Sequence, residues 1–305
     1  MLYGKPHAQQ NIAGYDIILY YILLIVLVLV ITLFVYREST GYNIVEYTVF
    51  TDKDIGSPVR FAMLSDLHET DVTHDMNERL IASVRSLGPD FIVLAGDMVT
   101  SHKEPFHDPE AAYSFIEKLA KSYRVYYGLG NHEQRFIEEP RKYQGKKEEF
   151  TARTQASGAT ILSDDHADLE GRNIRIYGYN IPLKNYRRGT FAKLPDGIIE
   201  KTLGGCDDRF FNILIAHSPD HFEEYVKFAP DLVLSGHLHG GIVALPGIGG
   251  IISPQLRPFP RYDHGEFKEG GTTMIVSRGI GWHSIPIRIF NKAEIVSVTI
   301  RKKEV

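Results

Sequence analysis

Five short segments of this chain carry residue types that hold divalent cations: Asp66-Leu67-His68, Gly96-Asp97, Gly130-Asn131-His132-Glu133, His217, and Gly236-His237-Leu238-His239. Mixed imidazole and oxygen donors suit Mn, Fe, Zn or Co better than a metal that seeks sulfur. The single cysteine, Cys206, can build neither a thiolate cluster nor an intramolecular disulfide. Within Asp66/His68 and His237/His239, a spacing of two lets both side chains of an extended segment point the same way. Glycines beside Asp97, Asn131 and His237 permit tight turns and close approach of backbone to an ion. One Asp-x-His or His-x-His carries little weight, and His217 alone reads as a satisfied buried histidine. Five such segments in one chain point to a metal site.

Each segment follows an apolar run of strand length: 59–65, 91–95, 124–129, 211–216 and 232–234. Further strands are expected at 174–179, 274–277, 287–290 and 295–300. Between them, Met76, Leu80, Ile81, Val84 and Leu87 share one helical face. Asp108 caps a second helix that has Pro109 at its first position and Ala112, Phe115, Ile116 and Leu119 as its stripe. An early β-α-β-α-β series followed by a strand-rich half predicts an α/β fold, its sheets covered by helices. The metal-ligand types then gather at carboxyl ends of strands, where open α/β sheets place their sites.

Residues 17–36 carry no charge and lie between Asp16 and Arg37. At about 1.5 Å rise per residue they form roughly 30 Å of helix, the thickness of a hydrocarbon core. A cleavable signal peptide has a shorter apolar region, about 7–15 residues, before small residues at its cleavage site. Here VYREST follows, so the stretch reads as one uncleaved transmembrane anchor. Residues 1–36 are thus an N-terminal anchor segment, 37–57 a membrane-proximal linker and 58–305 the catalytic domain. Lys5 on one side against Arg37 and Lys53 on the other leaves the orientation open, with a lean to an extracytoplasmic catalytic domain. With 34 Lys+Arg against 38 Asp+Glu, the net charge of −4 argues against a partner bound through bulk positive charge, so no nucleic acid is expected.

The order D-x-H, G-D, G-N-H-E, H, G-H-x-H resembles the calcineurin-like metallophosphoesterase superfamily. HSPD at 217–220, SGHLHGG at 235–241, and SRGIG with IPIRIF between 277 and 290 are similar to its membrane-anchored bacterial branch. That branch includes phosphodiesterases and type 2 UDP-2,3-diacylglucosamine pyrophosphatases. The resemblance covers about residues 57–300 and implies a four-layer α-β-β-α sandwich. It also implies two metal ions: Asp66, His68 and His239 on one, Asn131, His217 and His237 on the other, and Asp97 bridging both. His132 is then the residue that protonates the leaving oxygen or stabilises the transition state. Arg257 and Arg261, shortly after the GHLH segment, are expected to rim the pocket and reach a phosphate. Leu238 and Ile242 depart from the family, which has threonine and glutamine there, and both bear on substrate contacts. The expected activity is phosphodiester or pyrophosphate hydrolysis on a phosphate-ester substrate, with a membrane lipid as one such partner. The competing class, a silent binding or scaffold protein on the same fold, would show lost ligands, and none of the seven is missing.

Overall fold

The computed structural model describes residues 7–71, 75–101, 107–189, 192–241, 244–245, 247–253, 256–282 and 286–303, with side chains from Asp16 onward. His74, His102, Ile242 and His283 lie outside them. Helix α1 (His7–Thr40) leads into strand β1 (Tyr42–Thr51), followed by β2 (Val59–Leu64), α2 (Met76–Leu87), β3 (Phe91–Ala95), α3 (Pro109–Ala120) and β4 (Arg124–Gly128). Next come α4 (Asn131–Glu138), α5 (Lys146–Ser157), β5 (Thr160–Leu162), β6 (Asp165–Asp168), β7 (Ile174–Gly178), α6 (Ile198–Leu203) and β8 (Phe211–Ile215). The chain continues through α7 (Phe222–Phe228), β9 (Leu232–Ser235), β10 (Ala244–Leu245), β11 (Gly249–Gly250), β12 (Gly265–Glu269), β13 (Thr272–Val276) and β14 (Ala293–Lys302).

Two six-stranded sheets form the centre, ordered β1-β14-β2-β3-β4-β5 and β12-β13-β9-β8-β7-β6. Their facing sides share one dry layer, in which Phe61, Met63, Phe91 and Val93 meet Ile176, Ile213, Leu234 and Ile275. The outer face of the first sheet packs on α2, α3 and α5 through Leu80, Val84, Phe115, Ile116 and Phe150. The second sheet packs on α6 and α7 through Ile199, Phe222 and Tyr225. This is the α-β-β-α order of layers. Because β2, β3 and β4 run parallel, as do β7, β8 and β9, their carboxyl ends fall on one side of each sheet.

Asp108 caps α3 as its sequence predicts, its side chain accepting from Glu110 N at 3.0 Å. Two expectations change. The stretch 37–57 is not a linker: α1 runs on to Thr40, and β1 pairs with β14 in parallel, Tyr42 opposite Ala293 through Thr51 opposite Lys302. Val49 and Thr51 turn inward while Ile44, Glu46 and Phe50 face out, the period of two of a sheet-edge strand. Residues 287–290 are not a strand either. They form a loop in which Ile287 and Phe290 stand exposed and Arg288 is buried.

Candidate metal centre

The five segments converge. Asp66, His68 and His239 present one ligand atom each within 4.8 Å of one another; so do Asp97, His217 and His237, and so do His68, Asp97 and His132. His68 and Asp97 each belong to two groups, which joins the clusters into one buried centre. Backbone bonds fix the approach: Asp66 N donates to Gly96 O at 2.9 Å and His68 N to Asp97 O at 3.0 Å.

The local backbone differs from an extended chain. Asp66, His68, Asp97, His237 and His239 hold φ of 55, 51, 53, 67 and 52. Such left-handed conformations cost roughly 1–2 kcal/mol per non-glycine residue and collect at functional sites. Both members of each Asp-x-His and His-x-His pair sit in tight turns, and it is these turns that aim them inward. Gly236 must be glycine, since a Cβ there would lie 2.2 Å from Asp66 Oδ2.

The donor geometry fits cations. His68 Nε2 and His239 Nε2 are 3.0 Å apart, Asp66 Oδ1 is 3.4 Å from His239 Nε2, and His217 Nε2 is 3.0 Å from Asp97 Oδ2. With metal–nitrogen bonds of about 2.1 Å, octahedral and tetrahedral ligand edges are roughly 3.0 and 3.4 Å. His217 Nδ1 donates to Ala95 O at 2.7 Å, which leaves its buried Nε2, facing Asp97 Oδ2, as the atom that would bind a cation in place of a proton. The Asn131 carboxamide oxygen faces His237 Nδ1 at 3.1 Å. With the amide reversed, Asn131 donates to His237 Nδ1 and accepts from Arg135 Nη1 at 3.1 Å and from His132 N at 3.3 Å.

Asp97 is held asymmetrically. Its Oδ1 accepts from His132 N at the start of α4, at 2.9 Å, while Oδ2 faces His217 and lies 3.9 Å from His132 Nε2. Oδ2 is therefore the oxygen turned toward both His217 and His132. Burial pushes the Asp97 carboxyl up, but His217 and His132 outweigh it and hold it well below its ordinary value. Burial lifts Asp66 to about 7 against the pull of His217. For His217, burial is overcome by Asp97 and Asp66, which raise it to about 10. Protons thus supply, in part, the positive charge that this carboxylate-rich pocket needs.

His132 has its tautomer set by the chain. The Ser101 backbone N–H donates to its Nδ1 at 2.7 Å, so the ring proton sits on Nε2, which faces the centre. Arg257 Nη1 pairs with Asp220 at 2.8 Å beside a cavity of about 250 Å³ that Asn185, Lys193 and Tyr262 also line. Arg261 stacks over Tyr262, 5.0 Å from its ring centre.

Several contributors have no prior signal or a weak one. Glu133 accepts from Asp97 N, Val99 N, Gly130 N and the Tyr127 hydroxyl, at 2.7–3.2 Å. Its place three residues after Gly130 is the capping-box position, a signal the sequence does carry. Tyr186, buried, sets its ring 4.9 Å from that of His237. Asn291 Nδ2 donates to the His239 and Gly241 carbonyls. Buried Arg288 gathers the carbonyls of Arg278, Gly279, Gly281 and Asn291, and burial lowers its guanidinium to about 10.

A fold of two packed sheets with such a centre at its strand ends defines a metal-dependent phosphoester hydrolase. The chain belongs to the calcineurin-like phosphoesterase family, whose model matches residues 59–241. It is 28% identical over 247 residues to the uncharacterized metallophosphoesterase YkuE of Bacillus subtilis, covering 79% of each chain. It is 25% identical over 267 residues to a transmembrane protein with metallophosphoesterase domain of Danio rerio, covering 80% of this chain and 53% of that one. A metallophosphoesterase of Campylobacter jejuni is 28% identical, over 81% of this chain and 60% of its own.

Proposed function

We propose that this chain is a membrane-anchored, two-metal phosphoesterase that cleaves a phosphodiester or pyrophosphate bond of a lipid-linked substrate. One observation supports the two-metal part: Asp97 belongs to two donor groups, one with His217 and His237 and the other with His68 and His132. Asp66, His68 and His239 hold one ion, Asn131, His217 and His237 the other, and Asp97 serves both. Mn, Fe, Zn and Co suit these donors. Two such ions supply Lewis-acid activation of a water and neutralise charge on the phosphoryl group.

The chain's own residues do the rest. His132, neutral and protonated on Nε2, donates a hydrogen bond to charge that builds on the phosphoryl or leaving oxygen. The Ser101 N–H blocks Nδ1 from carrying a second proton, so transition-state stabilisation fits better than proton delivery from an imidazolium. Of the two arginines, Arg257 is the better placed for substrate, since its partner Asp220 lies three residues after His217. The anchor is α1, in which the 25 residues Asp16–Thr40 are apolar enough to cross a bilayer and none of their most apolar window is buried in the protein.

Purified full-length protein should hydrolyse bis(p-nitrophenyl) phosphate with added Mn²⁺ and lose that activity in EDTA. Elemental analysis should find two ions per chain. Activity indifferent to chelation, or no bound ion, would overturn the assignment.

A further inference from the structure

Eight large apolar side chains outside α1 are exposed among the described residues. Ile44 and Phe50 lie on β1. Of the other six, Leu245 ends the short strand β10, Ile248, Leu256 and Phe259 lie in the loops that follow it, and Ile287 and Phe290 lie before β14. Leu256, Phe259 and Phe290 hold φ of 64, 47 and 52. A bulky residue in that region costs about 1–2 kcal/mol, and each of these then places its side chain in solvent, 55%, 65% and 49% exposed. Backbone strain and apolar exposure both oppose this arrangement in water, so something outside the chain must cover it.

Helix α1 identifies the cover. Phe34 lies within the uncharged stretch, three residues before Arg37 and so about 4.5 Å along the helix from it. Its ring packs on that of Phe290, the centroids 5.1 Å apart. The helix end is tied to the same loop: Ser39 Oγ accepts from Arg288 N at 2.9 Å, Trp282 Nε1 donates to Ser39 O at 3.0 Å, and Lys292 pairs with Glu38 at 3.4 Å. A helix fixed in this way cannot enter a bilayer without bringing Phe290 to its surface. The loop also reaches the metal centre. Arg288 Nη2 donates to Gly281 O at 2.6 Å, and Gly281 N to Asp66 O at 2.9 Å.

We propose that the loops bearing Phe259, Ile287 and Phe290 rest in the interfacial layer of the bilayer that α1 crosses. The metal centre then opens onto the headgroups and receives phosphate esters that stay embedded by their apolar chains. This rests on the proposed membrane anchorage and gives it a docking surface beyond the helix.

The test uses full-length protein in phosphatidylcholine vesicles, Cys206→Ser, with one bimane label at Phe50→Cys, Phe259→Cys, Ile287→Cys or Phe290→Cys. Lipids carrying a shallow doxyl group should quench the labels at 259, 287 and 290 at least about twofold, as expected for side chains at the acyl boundary. The label at 50, equally apolar in origin, should stay bright. If labels at 287 and 290 behave like the one at 50 while the protein resists alkaline carbonate, the docking surface is refuted and the anchor stands. Release by carbonate would refute the anchorage itself. Labels shielded from water yet unquenched, with cross-linking between copies, would assign the patch to self-association and overturn the proposal.

Discussion

The two sheets serve the centre unequally. Loops after β2, β3 and β4 bring the carboxylates, Asn131 and His132, and they carry their own brace in Glu133, which ties the loops after β3 and β4 together. Loops after β8 and β9 bring only imidazoles and borrow support from the first half. His217 leans on Ala95 O, and the His237 N–H donates to Asp66 at 3.1 Å. Asp66 is thus at once a candidate ligand and a clamp between the sheets. The histidines of the second half take part of their support from the first half.

The residue shared most directly between the halves should give the largest effect. Asp97→Asn is expected to lower kcat by about 10³-fold or more and to reduce metal occupancy at both positions, because Asp97 belongs to both donor groups. Turnover and elemental analysis check this, and two retained ions with normal turnover would break the shared-ligand assignment. A smaller loss, about 10²–10³-fold in kcat with metal content kept, is expected for His132→Ala. The loss should be similar for nitrophenolate and alkoxide leaving groups, as its Nε2–H tautomer implies. A loss confined to poor leaving groups would restore proton transfer as its role.

The smallest effect concerns a carboxyl that only the first half carries. Glu69, beside the β2 loop, is raised by burial to about 7 from an ordinary 4.5. An acid raised on folding keeps its proton while the unfolded chain loses its own, so stability falls as pH rises from about 4.5 to 7. Glu69→Gln should therefore stabilise the metal-free protein at pH 8 by roughly 1–3 kcal/mol and leave it unchanged near pH 4. Denaturant titrations at the two pH values measure this. Equal effects at both would remove the burial argument.

What the chain announces in its sequence is local. An apolar run ending in Asp-x-His, or Asp108-Pro109 before a helical stripe, needs no distant partner to be read. β1 hides because its partner lies at the other end of the chain. Residues 287–290 mislead because their apolar alternation mimics a buried strand, while Ile287 and Phe290 point outward. The left-handed backbone of the ligand residues is also hard to read beforehand, since aspartate and histidine adopt it only occasionally while glycine does so freely. The candidate donors were legible in the sequence, and Glu133 was signalled by its capping-box position, whereas Asn291 and Tyr186 were not, because they meet His239 and His237 from about 50 residues away.

The pairing of β1 with β14 has a consequence in time. Tyr42 leaves the ribosome long before Ala293, its neighbour in the sheet. At about 5–20 residues per second, the interval is roughly 10–50 s. During it, β1 waits with the hydrogen-bonding edge that will face β14 unpaired. The segment that grips Asp66 and His239, from Arg278 to Asn291, is made only just before the closing strand. The backbone support of Asp66 and His239 is therefore completed only after residue 278 has been made, long after α1 and β1.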